Sequence, residues 1–229
     1  MRISANTVPQ IAEYARNGRV VVFDTETTGC SRWDEICQIA AVEYVGGVRA
    51  RTFSVYVCPT CEMNPWAEGV HGLSLDFLAE HGLAPEEAMR QFFEFLGSDA
   101  LLVAHNNKFD MRMLGQECRK FDISFAPDGI ETCDTLALAR HLRPGLDSYS
   151  LANLIEALNI DGVNSHDALD DTLACAGLFF KLIRGPDAAI SAATAPALTS
   201  AETRRWQDRS CSHRHGSECL FPGHQQCRQ

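Results

Sequence analysis

The chain has 229 residues, 45% of them apolar and 22% charged, with a formal net charge of −10. That balance suits a globular domain with its own core plus a small appendage, and excludes a disulfide-stapled miniprotein or a low-complexity chain. No uncharged apolar run could span a bilayer, and the first residues, Met1-Arg2-Ile3-Ser4-Ala5-Asn6, lack a signal-peptide core, so a cytoplasmic protein without membrane association is expected. The acidity speaks against nucleic-acid binding, which favours basic surfaces, unless carboxylates hold metal and the bound cations reverse the local field.

Residues 9–17 carry Ile11, Tyr14 and Ala15 at helical spacing, and Gly18 is a natural stop. Residues 19–24 form a β-branched apolar run that reads as a buried central strand. A second strand is expected over residues 36–45, a hairpin at Gly46-Gly47, and a third strand over residues 49–57, with Phe53, Val55 and Val57 on one face. A helix follows at 85–96, with Ala88, Phe92, Phe95 and Leu96 on its apolar side. Then come a short buried strand at 101–104, a helix at 108–121, a strand at 130–134, and helices at 136–141, 150–158 and 167–183. A three-strand antiparallel meander followed by βα units predicts an α/β domain with a mixed sheet. Residues 191–200 are rich in Ala, Thr, Ser and Pro and read as a linker. The boundary is therefore placed so that residues 1–184 are the core domain and 185–229 a linker and tail.

Three segments carry chemistry. In Phe23-Asp24-Thr25-Glu26-Thr27-Thr28-Gly29, Asp24 and Glu26 sit two apart at a strand end, so both carboxylates share one face. Such a pair repels unless protonated or bridged by a cation. In Ala104-His105-Asn106-Asn107-Lys108-Phe109-Asp110, Asp110 shares a helical face with Leu114 and Phe121 and is expected to point inward. An inward carboxylate needs a partner. In Ser165-His166-Asp167-Ala168-Leu169-Asp170-Asp171, the apolar stripe of the helix places Asp171 inward, with Asp170 and Asp167 towards solvent. His166 precedes that helix in a loop, where an imidazole can reach over a site.

Taken in order, Phe-Asp-Thr-Glu-Thr-Thr-Gly, His-Asn-x-x-Phe-Asp and His-x-Ala-x-x-Asp resemble the motifs of the DEDDh 3′→5′ exonucleases, the DnaQ-like family that includes the proofreading epsilon subunit of bacterial DNA polymerase III. Val70-His71-Gly72-Leu73 and the segment from Asp134 to Arg140 extend the resemblance, which covers roughly residues 19–183. It implies a ribonuclease H-like fold, with a mixed five-stranded sheet flanked by helices. It implies metal-binding acids at Asp24, Glu26, Asp110 and Asp171, a general base at His166, and contacts to the terminal nucleotide from Thr27, His71 and Leu73. It implies two Mg²⁺ or Mn²⁺ ions, with Asp24 shared between them, and a substrate that is a single-stranded or frayed 3′ end of DNA. The expected activity is release of 5′-mononucleotides in proofreading or repair, with a DNA polymerase subunit as an expected partner. An RNA-trimming exoribonuclease of the same superfamily is the first alternative, since sequence does not fix discrimination of the 2′-hydroxyl. A binding module that uses its tail to recruit a polymerase is the second.

Ten cysteines are many for a reducing compartment. Seven, including the Cys58-Pro59-Thr60-Cys61 pair, are expected to behave mostly as small buried apolar residues. The tail gathers Cys211, His213, His215, Cys219, His224 and Cys227, and four such ligands would close a tetrahedral zinc site. Their spacing matches no finger pattern, so structural zinc and chance clustering both stand.

Overall fold

The structure is a computed structural model that describes residues 7–124 and 131–184. The start of the strand expected at 130–134, the linker and the Cys/His-rich tail lie wholly or partly outside the described residues. Helix α1 (Val8–Asn17) leads into β1 (Arg19–Thr27), β2 (Ile36–Val45) and β3 (Val48–Tyr56). Two short helices, α2 (Pro65–His71) and α3 (Leu75–His81), precede α4 (Pro85–Leu96), β4 (Leu101–Ala104) and α5 (Lys108–Lys120). The chain continues through β5 (Thr132–Asp134), α6 (Thr135–Leu142), α7 (Leu151–Ala157) and α8 (Ala168–Arg184). No described helix is long and apolar enough to cross a membrane.

The five strands form one sheet in the order β3-β2-β1-β4-β5. The β1–β2 and β2–β3 pairs are antiparallel, and β1–β4 and β4–β5 are parallel. The expected mixed five-stranded sheet is therefore present. Gly46 and Gly47 both have positive φ, 57° and 76°, the primed turn that matches the twist of a two-residue hairpin.

Alternation along β1 sorts the core into two layers. Val20 and Val22 pack with α1, α6, α7 and α8, where Phe179 and Leu178 are fully buried. Val21 and Phe23 pack with α4 and α5 around Phe92, Met89 and Met113. Fully burying each of these side chains contributes roughly 1.5–3 kcal/mol. Phe95, expected on the apolar face of α4, is only partly buried; Met89 takes the inward place, and Phe95 lies at the sheet edge against Phe53 and the Arg51 guanidinium. Helices α2 and α3 have no counterpart among the expected elements. They are seven residues each, too short for a periodic apolar stripe, and they are held by side-chain caps from Asn64 and Ser74.

Candidate active site

The site forms where β1 and β4 end side by side. Asp24 and Glu26 fall on the same face as Val20 and Val22, which α8 covers. Thr25 between them faces the other way, and its hydroxyl donates to Asp110 Oδ1 at 2.7 Å. Asp110 is 3% exposed, in the first turn of α5. Asp171, in the first turn of α8, is also buried. Its Oδ1 accepts from the Ser165 N–H at 2.9 Å, and its Oδ2 accepts from the Asn164 side-chain amide.

His166 stands just before α8 with φ of +58°, a left-handed conformation that few non-glycine residues adopt. Its ring is exposed, yet ligand atoms of Glu26, His166 and Asp171 all lie within 4.8 Å of one another. The backbone twist that brings the ring over the acids is secured from β2. Gln38 lies beside Glu26 in the β1–β2 register and is buried. Its amide nitrogen donates to Asp167 Oδ2 at 2.8 Å, and its oxygen accepts from the Ala168 N–H at 3.1 Å.

This arrangement corrects one sequence expectation. Asp167 does not face solvent: it is half-buried, and its Oδ1 accepts from the N–H groups of Leu169 and Asp170 at 3.0 and 3.3 Å. It is the N-cap of α8, and a capping side chain folds back over the helix end, where the helical wheel no longer applies. Asp170 is exposed.

The electrostatics are those of buried acids crowded together. Burial, and then the carboxylates of Asp110, Glu26, Asp171 and Asp167, push Asp24 well above the usual range. Burial raises Glu26 to about 8, with Asp171, Asp167 and Asp110 adding to the effect. Burial lifts Asp110 to about 7, although the Thr25 hydroxyl and backbone donors pull it down. Asp171 is raised by burial against the pull of Ser165, His166 and Asn164. Four carboxylates that repel at close range, offering only oxygen donors among themselves, fit hard divalent cations such as Mg²⁺ or Mn²⁺.

The three residues expected to meet the terminal nucleotide are also placed. Thr27 is buried, and its hydroxyl donates to Gly29 O at 2.8 Å. His71 Nδ1 accepts from the Leu73 N–H at 3.0 Å, and its Nε2 donates to Thr27 O at 3.3 Å. Burial lowers the basicity of that ring. Leu73 packs partly buried beside Leu78 and Met63. His105, from the second motif, is turned into the fold: its Nε2 donates to Tyr149 O at 3.1 Å, and its Nδ1 lies 2.9 Å from Thr135 Oγ1. Cys37, Cys118, Cys133 and Cys175 are buried. Among the described residues, no metal-ligand cluster includes Cys58 or Cys61.

The Exonuclease family model (RNase_T) matches residues 21–179. The epsilon subunit of DNA polymerase III from Rickettsia conorii is 34% identical over 179 residues, covering 75% of this chain and 76% of that protein. A PolC-type DNA polymerase III from Caldanaerobacter subterraneus is 32% identical over 173 residues, but this chain spans only 12% of its length. Among solved structures, exonuclease X in complex with 5′ overhanging duplex DNA superposes with a TM-score of 0.57 at 25% identity, covering 72% of this chain and 91% of that one. Escherichia coli exonuclease I, in complex with a dA16 oligonucleotide, shares the fold with a TM-score of 0.62 at 20% identity, over 72% of this chain and 42% of that one. The chain, with its acids and histidine drawn to the ends of β1, α5 and α8, belongs to the exonuclease family, alongside the epsilon and PolC-type proteins of DNA polymerase III.

Proposed function

We propose that this chain is a metal-dependent 3′→5′ exonuclease that releases 5′-mononucleotides from the 3′ end of DNA, in proofreading or repair. The observation that carries this reading is the convergence of Glu26, His166 and Asp171 within 4.8 Å, beside Asp24 and the Thr25-anchored Asp110. Two Mg²⁺ or Mn²⁺ ions held by Asp24, Glu26, Asp110 and Asp171 would stabilise the attacking and leaving oxygens of an in-line displacement at phosphorus. His166, at the exposed rim of the acids, accepts the proton of the attacking water. The bond from phosphorus to the 3′ oxygen of the preceding nucleotide breaks, so the strand keeps a 3′-hydroxyl and the terminal nucleotide leaves as a 5′-monophosphate. Gln38 and Asp167 hold His166 in place through the start of α8. Thr27, its hydroxyl committed to Gly29, meets the terminal nucleotide through its backbone, and His71 and Leu73 pack against that nucleotide's base or sugar.

The choice of DNA and of the 3′ end is supported by the relatives. Some are named as DNA polymerase III subunits, and exonuclease X was solved with a 5′ overhanging duplex, which presents a recessed 3′ terminus. A polymerase subunit is accordingly the proposed partner. The test is digestion of matched 5′-labelled and 3′-labelled DNA and RNA oligomers by the purified chain. A ladder shortening from the 3′ end of DNA is expected. Internal cuts, or digestion from the 5′ end, would contradict the reading, and faster loss of RNA would move it to the exoribonuclease alternative.

A further inference from the structure

Two indoles project into solvent beside the proposed site. Trp33 and Trp66 are 72% and 69% exposed, the most exposed large apolar side chains among the described residues. Exposing an indole forgoes a large apolar burial, and aromatic rings of this kind are used where they stack on a partner.

Both are carried by segments fastened to one residue, Thr28, two positions beyond Glu26. On the Trp33 side, the Thr28 N–H donates to Glu35 O at 2.9 Å. The Thr28 hydroxyl accepts from the Glu35 N–H at 3.0 Å and faces Asp34 Oδ1 at 3.2 Å. A Cβ at Gly29 would stand 2.7 Å from the Asp34 carboxylate, so this turn closes tightly only with glycine there. On the Trp66 side, the Asn64 N–H donates to Thr28 O at 2.9 Å, and the Asn64 side chain caps the Trp66 N–H. Thr28 thus joins the two tryptophan-bearing segments where β1 leaves the acids.

The Trp33 loop holds one cation, Arg32, ahead of the acids Asp34 and Glu35, whose carboxylates are engaged by Thr28, Ser31, Thr60 and Lys120. The Arg32 guanidinium lies 4.5 Å above the Trp33 ring. Arg112 of α5 donates to Ser31 O and Cys30 O, at 3.1 and 3.0 Å, which fixes the loop and adds a second cation. Aromatic faces for bases beside cations for phosphates are the means by which proteins hold unpaired strands without reading sequence. In a chain with a net charge of −10, stacking would supplement the electrostatic hold on phosphates.

We infer that Trp33 and Trp66 are base-stacking platforms for the unpaired nucleotides upstream of the scissile 3′ terminus, with Arg32 and Arg112 facing the adjoining phosphates. The inference rests on the exonuclease reading above. Its occupant is a single strand of nucleic acid, because both indole-bearing segments are fastened to Thr28, two residues past Glu26, where that reading puts the strand end.

The test compares Trp33→Ala, Trp66→Ala and the double variant on two substrates with Mn²⁺. One is a dT12 oligomer. The other is the p-nitrophenyl ester of thymidine 5′-monophosphate, which has a single nucleotide and ends short of the indoles. For the oligomer, KM should rise roughly 5- to 100-fold per ring, the range alanine substitution gives for base stacking. The Trp33→Phe variant should recover most of it, because a ring face is retained. The ester should be hydrolysed with unchanged kcat/KM. An unchanged oligomer KM in all three alanine variants would overturn the inference and leave the indoles to a protein partner. Failure of the native chain to hydrolyse either substrate would overturn the exonuclease reading itself.

Discussion

The Thr25 hydroxyl lies 2.7 Å from Asp110 Oδ1 and ties β1 to α5 between the two acids of the strand. Alternation puts Asp24 and Glu26 on one side of β1, so the residue between them is free to orient the acid of another element. Thr25→Val keeps the shape and removes the donor, leaving Asp110 less firmly held and easier to protonate. Loss of an outer hydrogen bond of this kind costs about 10- to 100-fold in metal affinity or activity. The expected outcome is a higher Mn²⁺ concentration for half-maximal rate, with an unchanged circular dichroism spectrum. An unchanged metal dependence would show that Asp110 is positioned without Thr25.

Gln38 acts one step further out. It holds Asp167 and the Ala168 N–H, and through them the left-handed turn at His166. Gln38→Leu should lower kcat more than it alters the metal requirement, because the group displaced is the base and not a ligand. Leaving the Asp167 and Ala168 groups without their partner should also destabilise the fold by about 1–3 kcal/mol. Urea unfolding and single-turnover rates measure the two effects separately.

The three aspartates around α8 should separate cleanly. Asp171→Asn should abolish turnover while retaining the fold. Asp167→Ala removes the helix cap and should cost about 0.5–2 kcal/mol, with a partial loss of rate. Asp170→Ala, on the exposed flank, should change stability by less than about 1 kcal/mol and leave the rate close to that of the native chain. A severe rate defect in Asp170→Ala with a normal Asp171→Asn enzyme would reverse the assignment.

A pH-dependence of stability follows from the raised acids. Glu26 is lifted from 4.5 to about 8 and Asp110 from 3.8 to about 7, both chiefly by burial. Between those limits the folded chain keeps protons that the unfolded chain has released. Stability is therefore fully present below pH ~4 and is lost as pH rises towards 8. Glu117 adds to the same slope: it is raised to about 7 by burial, and its Oε2 is the one buried side-chain oxygen or nitrogen without a partner among the described residues. In EDTA the melting temperature should fall from pH 5 to pH 8, and Mn²⁺ should restore it most at pH 8. Glu117→Gln should flatten part of the slope without altering the response to Mn²⁺. A melting temperature in EDTA that rises over this range would contradict the electrostatic account.

His166 is the proposed proton acceptor, so His166→Ala should slow single-turnover hydrolysis at saturating Mg²⁺ by about 10²- to 10⁴-fold, with metal binding retained. A near-native rate in that variant would assign the base to another group.

Much of this site was legible in the sequence because its acids obey simple periodicities. Asp24 and Glu26 follow the two-residue repeat of a strand, and Asp110 and Asp171 lie on the apolar stripes of α5 and α8. The long elements were found for the same reason: β2 over Ile36–Val45, α4 over Pro85–Leu96 and β4 over Leu101–Ala104 have the expected bounds. What was missed has no repeat to betray it. The grip of Gln38 on α8 joins residues 129 and 130 positions apart, and the donors to Asp171 come from a loop with no regular pattern. Asp167 was misplaced by extending helical periodicity one residue past the helix, although an Asp immediately before an apolar helix is itself a capping signal.

The central claim is that these acids act on nucleic acid only through bound divalent cations. The most direct test is the initial rate at which a 5′-labelled DNA oligomer is shortened by mononucleotide release, measured for the native chain and for Asp24→Ala in Mg²⁺, in Mn²⁺ and in excess EDTA. The account predicts release by the native chain with either ion, none in EDTA, recovery when metal is restored, and none from a folded Asp24→Ala protein under any condition. Undiminished release in excess chelator, or near-native release by folded Asp24→Ala, would contradict it.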